Sequence, residues 1–372
     1  MPSDAIKSPA ISVVMGVYNG ERFLAAAVDS ILAQTYGDFE FIIVNDGSAD
    51  RTPAILADYA AADSRVRLLH NEMNIGLSSS LNRGLDAAQG EFIARMDADD
   101  VSEPLRFERQ VDYLRRHPDV VLLGTANRSI DHSGQDIRFD NYFPLTWQEN
   151  LWGSCFVCTF QHASVMIRRS VLDAQALRYD AHCGPVEDFE LWTRILEVGK
   201  GTNLRERLLR RRKGIGGICE QHFGQQVRDH DRVVEQTCRR RFPGSGITDV
   251  DARLLRVFHV NRAPDEELEL SGRLAAIAGR YVSAFDSLFP RQAAGGAAVA
   301  RKLRRRMLQH ALRRVFSLRR LDPAWWSFIW GILKKNPGLI LALPFMPLRS
   351  RAYAWKKRLR GWHSSKGTAR PC

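Results

Sequence analysis

Apolar and polar positions alternate in blocks along the first half of the chain. Residues 11–17 (ISVVMGV) are a β-branched run that stops at Tyr18-Asn19-Gly20, a turn signal, and they predict a first strand. Across 21–35, Phe23, Leu24, Val28, Ile31 and Leu32 fall on one helical face. Residues 39–44 read as a second buried strand, broken by Asn45-Asp46-Gly47-Ser48, with Ser48 or Asp50 placed to cap a helix over about 52–62. A third strand is predicted at 66–69. A helical stripe of Leu77, Leu81, Leu85 and Ala88 follows, closed by Gly90 as a C-terminal stop, and then a fourth strand at 92–96. Residues 104–116 suit a helix with Pro104 in its first turn, and 120–123 another strand. The stretch 125–185 is less regular and rich in Phe, Tyr and Trp. A helix then starts at Glu187 and runs to about Gly199 on a face of Phe189, Trp192, Ile195 and Leu196.

Strands alternating with helices of this length imply an α/β fold built on a doubly wound, mostly parallel sheet. Ligands bind such sheets beyond the carboxyl ends of the strands. Three polar clusters occupy those ends, Tyr18-Asn19, Asp46-Gly47-Ser48 and Asp97-Ala98-Asp99, so the fold gathers them on one edge. No G-x-G-x-x-G follows the first strand, and a dinucleotide site therefore lacks its phosphate loop. In the third cluster, strand alternation puts Asp97 and Asp99 on one side. Two carboxylates that close repel unless a cation sits with them, and hard oxygen ligands suit Mg²⁺ or Mn²⁺. A polar turn after a strand is the competing explanation of the same residues.

Charge divides the chain. The net charge of the 372 residues is +12, yet residues 301–372 carry 19 Lys/Arg and one acid, Asp322, leaving the first 300 residues with 35 basic against 41 acidic side chains. Leu303, Met307, Leu308, Ala311, Leu312, Val315 and Phe316 make a basic amphipathic helix of residues 301–320. Trp325-Trp326 and the runs up to Met346 are too short to span a bilayer, and with the flanking Lys/Arg they suggest a segment lying on an anionic membrane surface through residues 301–360. Nucleic-acid tails rely on charge and isolated stacking aromatics rather than bulky apolar runs, so no nucleic-acid partner is expected. Six cysteines include the pair Cys155 and Cys158, without a second pair at zinc spacing. Free thiols, no signal peptide and a cytoplasmic position peripheral to the inner face of a membrane are the resulting expectation. The domain plan is a flexible 1–10, an α/β domain over 11–225, a helical extension over 226–300 and the basic tail over 301–372.

Seven stretches, taken as a set in order and spacing, resemble family 2 glycosyltransferases of the GT-A fold, above all bacterial enzymes of lipopolysaccharide, capsule and exopolysaccharide synthesis. They are VVMGVYN (13–19), VNDGS (44–48), NIGLSSSLNRG (74–84), GEFIARMDADD (90–100), PLRFERQ (104–110), HASVMIRRS (162–170) and EDFELWTR (187–194). The resemblance implies an inverting transfer from a nucleotide-diphosphate sugar (UDP-, GDP- or dTDP-linked) to a lipid-linked or glycan acceptor. It puts Tyr18, Asn19 and Glu21 against the nucleotide, Asp46 on the base, Arg83 and Arg95 on phosphate or sugar, Asp97 on ribose or sugar, and a divalent metal on Asp99. Asp188 becomes the general base, with Glu187 shaping the pocket. His162 is either a pocket residue or a satisfied interior histidine, and Trp192 either stacks under a sugar or belongs to the core. Gly214 stands where relatives carry a His that contacts metal or phosphate, with His222 a potential substitute. That departure supports a second reading, a sugar-nucleotide-binding or scaffolding protein of the same fold with impaired catalysis.

Overall fold

A computed structural model describes residues 8–141, 143–213 and 223–243, together with 248, 251 and 288. Gly214, His222 and the basic tail lie outside the described residues. The chain divides into two compact units, residues 1–237 and 238–372.

The first unit is built on one nine-stranded sheet. Its strands are β1 (Ile11–Val17), β2 (Phe39–Asn45), β3 (Val66–His70), β4 (Phe92–Arg95), β5 (Val101–Ser102), β6 (Val120–Ile130), β7 (Asp136–Asn141), β8 (Met166–Arg168) and β9 (Lys200–Arg212). The order is β3-β2-β1-β4-β8-β6-β9-β5, with β7 paired to β6. Pairs β1–β2, β1–β4, β2–β3 and β6–β9 are parallel, whereas β8 runs antiparallel between β4 and β6. Helices α1 (Leu24–Leu32), α2 (Thr52–Ala62), α3 (Leu77–Ala87), α4 (Arg106–Arg116), α5 (Trp147–Gly153), α6 (Arg169–Ala174), α7 (Glu187–Val198) and α8 (Phe223–Arg241) complete the described elements.

Strand alternation explains why helices cover both faces. Ile11, Val13, Met15 and Val17 of β1 face one core with Leu24, Val28 and Ile31 of α1, Leu56 of α2 and Phe107, Val111 and Leu114 of α4. Val14 faces the other, with Leu81 and Leu85 of α3, Leu172 of α6 and Leu191, Trp192 and Ile195 of α7. A strand buried on both sides has no solvent-facing side, which is why β1 and β2 read as nearly continuous apolar runs, with Ser12 and Glu40 bonded to each other inside the sheet. Each fully buried Leu, Ile or Phe adds about 1.5–3 kcal/mol.

Several boundaries differ from the sequence reading. α1 starts three residues later than predicted, because Gly20 C=O accepts the N–H groups of both Phe23 and Leu24 in a tight entry turn. Gly90 is not a helix cap. It lies where a Cβ would come 2.4 Å from Ser12 N, so its lack of a side chain lets the chain pass β1 closely. The stretch read as irregular contains the second half of β6, β7, α5, β8 and α6, elements too short or too mixed in polarity to show a period. α4 has an unusual inner face. Arg106 and Gln110 are wholly buried there; Arg106 Nη2 donates to Arg95 O (2.8 Å) and Val165 O (3.2 Å), and Gln110 Nε2 to Leu123 O (3.0 Å) and Ser164 O (2.9 Å). These two side chains tie β4 and β6 to the segment entering β8, beneath the acidic turn described next.

Candidate active site

β4 ends at Arg95, so Asp97 to Asp100 form a turn rather than a strand, and the expected alternation of Asp97 and Asp99 does not apply. The turn achieves more than a strand would: carboxylate oxygens of Asp97, Asp99 and Asp100 lie within 4.8 Å of one another. Asp97 pairs with the Arg95 guanidinium, which is only 2% exposed. Crowding that displaces water, then the charge of Asp97, push the Asp99 carboxyl up to about 6 although the residue as a whole reaches solvent. Asp100 is buried and raised well above the usual range, by burial first and then by Asp97 and Asp99. Its Oδ1 accepts the Arg212 N–H (2.7 Å), and its Oδ2 is enclosed without a hydrogen-bond partner among the described residues. Arg212 Nε also donates to Asp99 O (2.8 Å), and β5 pairs with β9 at Val101–Arg210. The turn therefore takes its shape from the far end of β9. Three crowded hard oxygen donors, two of them holding protons above their ordinary range, are a donor set that fits Mg²⁺ or Mn²⁺.

The loops after β1 and β2 meet beside this turn. Asn19 sits at φ +49°, donating its N–H to Ser48 Oγ (2.9 Å) and accepting the Ala49 N–H on Oδ1 (2.9 Å). Glu21 donates its N–H to Asp50 (3.0 Å) and accepts the Arg51 N–H (2.9 Å). Both side chains lace one loop to the other. Tyr18 is left 51% exposed. Asp46, expected on the base, has several protein partners. It is 3% exposed, with Oδ1 accepting from Asn71 Nδ2 (2.7 Å) and Ile75 N (2.8 Å), and Oδ2 from Gly76 N (3.0 Å). Its carboxylate thus pins the 71–76 loop. Gly47 makes that fit possible: its φ is +66°, and a Cβ would lie 2.6 Å from Met73 C. Arg83, exposed on α3, donates Nη1 to His70 O (3.0 Å) and to Asn71.

The third component is the start of α7. Asp188 is half-buried, its Oδ1 accepting the Phe189 N–H (2.6 Å) and its Oδ2 facing Cys158 Sγ (3.6 Å). Burial raises its carboxyl, while these donors and the Arg95 charge oppose the rise. Glu187 is pushed up to about 8, by burial and then by Asp188, and so carries a proton at neutral pH. His162 is held well below its ordinary value by burial and by Arg95. Its Nδ1 lies 3.7 Å from Glu187, a contact of two neutral groups, and its Nε2 lies 2.9 Å from the Tyr179 hydroxyl. Trp192 does not stack in an open pocket. It is 1% exposed, its ring packed edge-on against His162 (5.8 Å) and Tyr179 (6.4 Å), and it supports the pocket from beneath. Arg95 connects the parts electrostatically, since its charge acts on Asp99, Glu187, Asp188, His162 and Tyr179.

Sequence reasoning missed Cys158, Tyr179, Asn71, Arg106 and Arg212. Arg106 lies inside PLRFERQ and was legible only as part of that stretch. The others sit in loops or at a strand end, where no periodicity marks them. Two surface cavities lie elsewhere. One, of about 740 Å³, is lined by Asp38, Glu91, Arg115, Arg168 and Arg169 at the amino ends of the strands. The other, of about 390 Å³, is lined by Trp147, Glu197 and Lys200 beyond the far end of α7.

A mostly parallel sheet covered on both faces, with acidic clusters at its carboxyl edge, defines a GT-A-type α/β protein. The family model described as "Glycosyl transferase family 2" matches residues 12–174. EpsE of Bacillus subtilis (strain 168) is 35% identical over 254 residues, 67% of this chain and 90% of that protein. The O-antigen biosynthesis glycosyltransferase WbnJ of Escherichia coli is 34% identical over 192 residues, 50% of this chain and 71% of that one. Among solved structures, S. aureus TarS 1–349 in complex with UDP-GlcNAc matches the fold with a TM-score of 0.54 at 15% identity, over 86% of this chain and 92% of that chain. The chain belongs to glycosyltransferase family 2.

Proposed function

We propose that the chain is an inverting glycosyltransferase that moves a sugar from a nucleotide-diphosphate donor to a hydroxyl of a lipid-linked or cell-surface glycan. One observation carries this reading: the only part-open carboxylate of the α7 start, Asp188, lies within the electrostatic reach of Arg95 and Asp97, so a candidate base shares the field of the acidic turn. Tyr18, Asn19, Glu21 and Arg83 are exposed and available to the nucleotide, and Asn19, Glu21 and buried Asp46 also shape its loops. Asp99, with Asp97 and Asp100 beside it, would hold Mg²⁺ or Mn²⁺. When bound, such an ion supplies neutralisation of the diphosphate leaving group. Asp188 removes the proton of the acceptor hydroxyl as that oxygen attacks the anomeric carbon, and a single displacement inverts the centre. Protonated Glu187 keeps a second negative charge away from the base, and neutral His162 with Tyr179 lines the pocket wall.

The relatives act in O-antigen and amylovoran biosynthesis by their names, which supports a surface-polysaccharide acceptor. Among the described residues no helix is long and apolar enough to cross a membrane. Binding of the basic 301–360 segment to the anionic cytoplasmic face of the plasma membrane would bring the site to a lipid-linked acceptor. The second reading, a binding protein without turnover, draws on Gly214 alone. A thermal-shift panel of UDP-, GDP- and dTDP-sugars with Mn²⁺, followed by measurement of nucleoside-diphosphate release, tests the proposal. Stabilisation by a donor together with release supports transfer, and stabilisation without any release on addition of glycan acceptors favours the binding protein. Asp188→Asn is expected to cut release by on the order of 10²–10⁴-fold while donor stabilisation persists.

A further inference from the structure

Cys158 lies outside every stretch that carries the family resemblance, yet its side chain reaches the proposed base. It sits in the segment between α5 and the short 3-10 turn His162–Ser164, with its thiol packed against the core that contains Leu191 and Trp192. Its sulfur is 3.6 Å from Asp188 Oδ2 and 3.2 Å from the Phe160 carbonyl oxygen. Cys158 is a free cysteine, and burial, then the Asp188 charge, push its thiol well above the ordinary range, so it carries its proton at neutral pH.

A single S–H therefore has two acceptors in reach, one of which changes charge. When Asp188 is ionised, its carboxylate is the better acceptor, because hydrogen bonds to charged groups are the stronger ones. When Asp188 takes up a proton, the thiol still has the Phe160 carbonyl. We infer that Cys158 is a positioning residue for the base: its S–H anchors Asp188 Oδ2 in the ionised state and turns to Phe160 O once Asp188 is protonated. With Oδ1 held by the Phe189 N–H at 2.6 Å, both carboxylate oxygens are then fixed, and each keeps a second lone pair for the acceptor hydroxyl. A thiol suits this task. It is a weak donor, so it orients the carboxylate without suppressing its basicity as a stronger donor would. The other charged or titratable groups that act on Asp188 or on this thiol are Glu187 on α7, Arg95 of β4 and Asp97 in the acidic turn; Tyr179 in turn feels the Asp188 charge.

The inference rests on the base assignment, and the test separates the two. The S–H stretching band of Cys158 is isolated by infrared difference spectroscopy of the full chain, subtracting the spectrum of Cys158→Ala, or of Cys158→Ser should the alanine variant not fold. The band is expected at lower frequency in the wild type than in Asp188→Asn. It is expected to move lower as pH rises through the ionisation of Asp188, and to stay still over the same range in Asp188→Asn. A band that is the same in both proteins and indifferent to pH overturns the thiol's role. Nucleoside-diphosphate release from the donor identified by the thermal-shift panel then gives the pH profile. Cys158→Ala should move its acid limb up by about half a pH unit, the effect of losing one weak donor to the carboxylate. An unmoved limb alongside an inactive Asp188→Asn overturns only the thiol's role, whereas an active Asp188→Asn overturns the base assignment and the inference together.

Discussion

The acidic turn makes a prediction about stability that needs no substrate. Replacing Asp99 by Asn keeps the shape of the side chain and removes a charge from a cluster whose oxygens lie within 4.8 Å of one another. The wild-type carboxyl is held at about 6 in the folded chain, against about 3.9 in an unfolded one. For an enclosed group that difference corresponds to roughly 3 kcal/mol. Asp99 reaches solvent, and screening lowers the figure to about 1–1.5 kcal/mol. Because the folded value is raised, the stability is fully present below about pH 3.9 and is lost as pH climbs through 6. Asp99→Asn should therefore melt about 2–5 °C above the wild type at pH 7.5 in EDTA, and the two curves should converge towards pH 4.5. A divalent ion has the opposite effect on the pair. At one hundred times its Kd, Mn²⁺ should raise the wild-type melting point by several degrees, following about 2.7 kcal/mol of binding energy, and should leave the variant nearly unmoved. Scanning fluorimetry across pH 4.5–8, with EDTA or with Mn²⁺, measures both effects. A variant that melts no higher than the wild type at pH 7.5 and still responds to Mn²⁺ would refute the view of this turn as a strained, cation-seeking cluster.

Three further outcomes can be checked directly. Glu187→Gln mimics the protonated side chain, so its nucleoside-diphosphate release at pH 7 should stay within about threefold of wild type; above pH 8 the wild type should fall as Glu187 ionises beside Asp188, and the variant should not. Gly47→Ala should lose about 1–3 kcal/mol in urea unfolding and weaken donor binding, because a Cβ at φ +66° would press on the Met73 backbone; unchanged stability would contradict the close approach. Full-length chain should co-sediment with anionic vesicles more than chain lacking 301–372, and equal binding would remove the tail from any membrane role.

The sheet was legible where burial on both faces writes an apolar run, as in β1 and β2, and the helices where a stripe faces one core, as in α1 and α3. β9 was not, because its central residues, Arg205 to Arg207, are polar and its partner β6 is distant in sequence. The acidic residues of the site could be named from their motifs, but not what each touches. The motif points Asp46 at a base, but does not show that its carboxylate also accepts from Asn71, Ile75 and Gly76, donors 25 to 30 positions away. Asp100 had no role of its own in its motif and lies inside the carboxylate cluster, since the strand stops at Arg95 and a turn brings all three acids together. Trp192 sits on an apolar helix face, which favours the core over a sugar platform, and the packing of His162 and Tyr179 around it agrees.

The bond from Arg212 to Asp100 spans 112 positions of the chain. A ribosome adding roughly 5–20 residues per second delivers Arg212 about 6–22 s after Asp100. During that interval β1 to β3 already have their partner strands and Asp46 its donors, whereas the acidic turn lacks the strand that shapes it. Nascent chains are thus expected to form the loops around Asn19 and Asp46 first and to complete the acidic turn, with any affinity for a divalent ion, only when β9 has emerged.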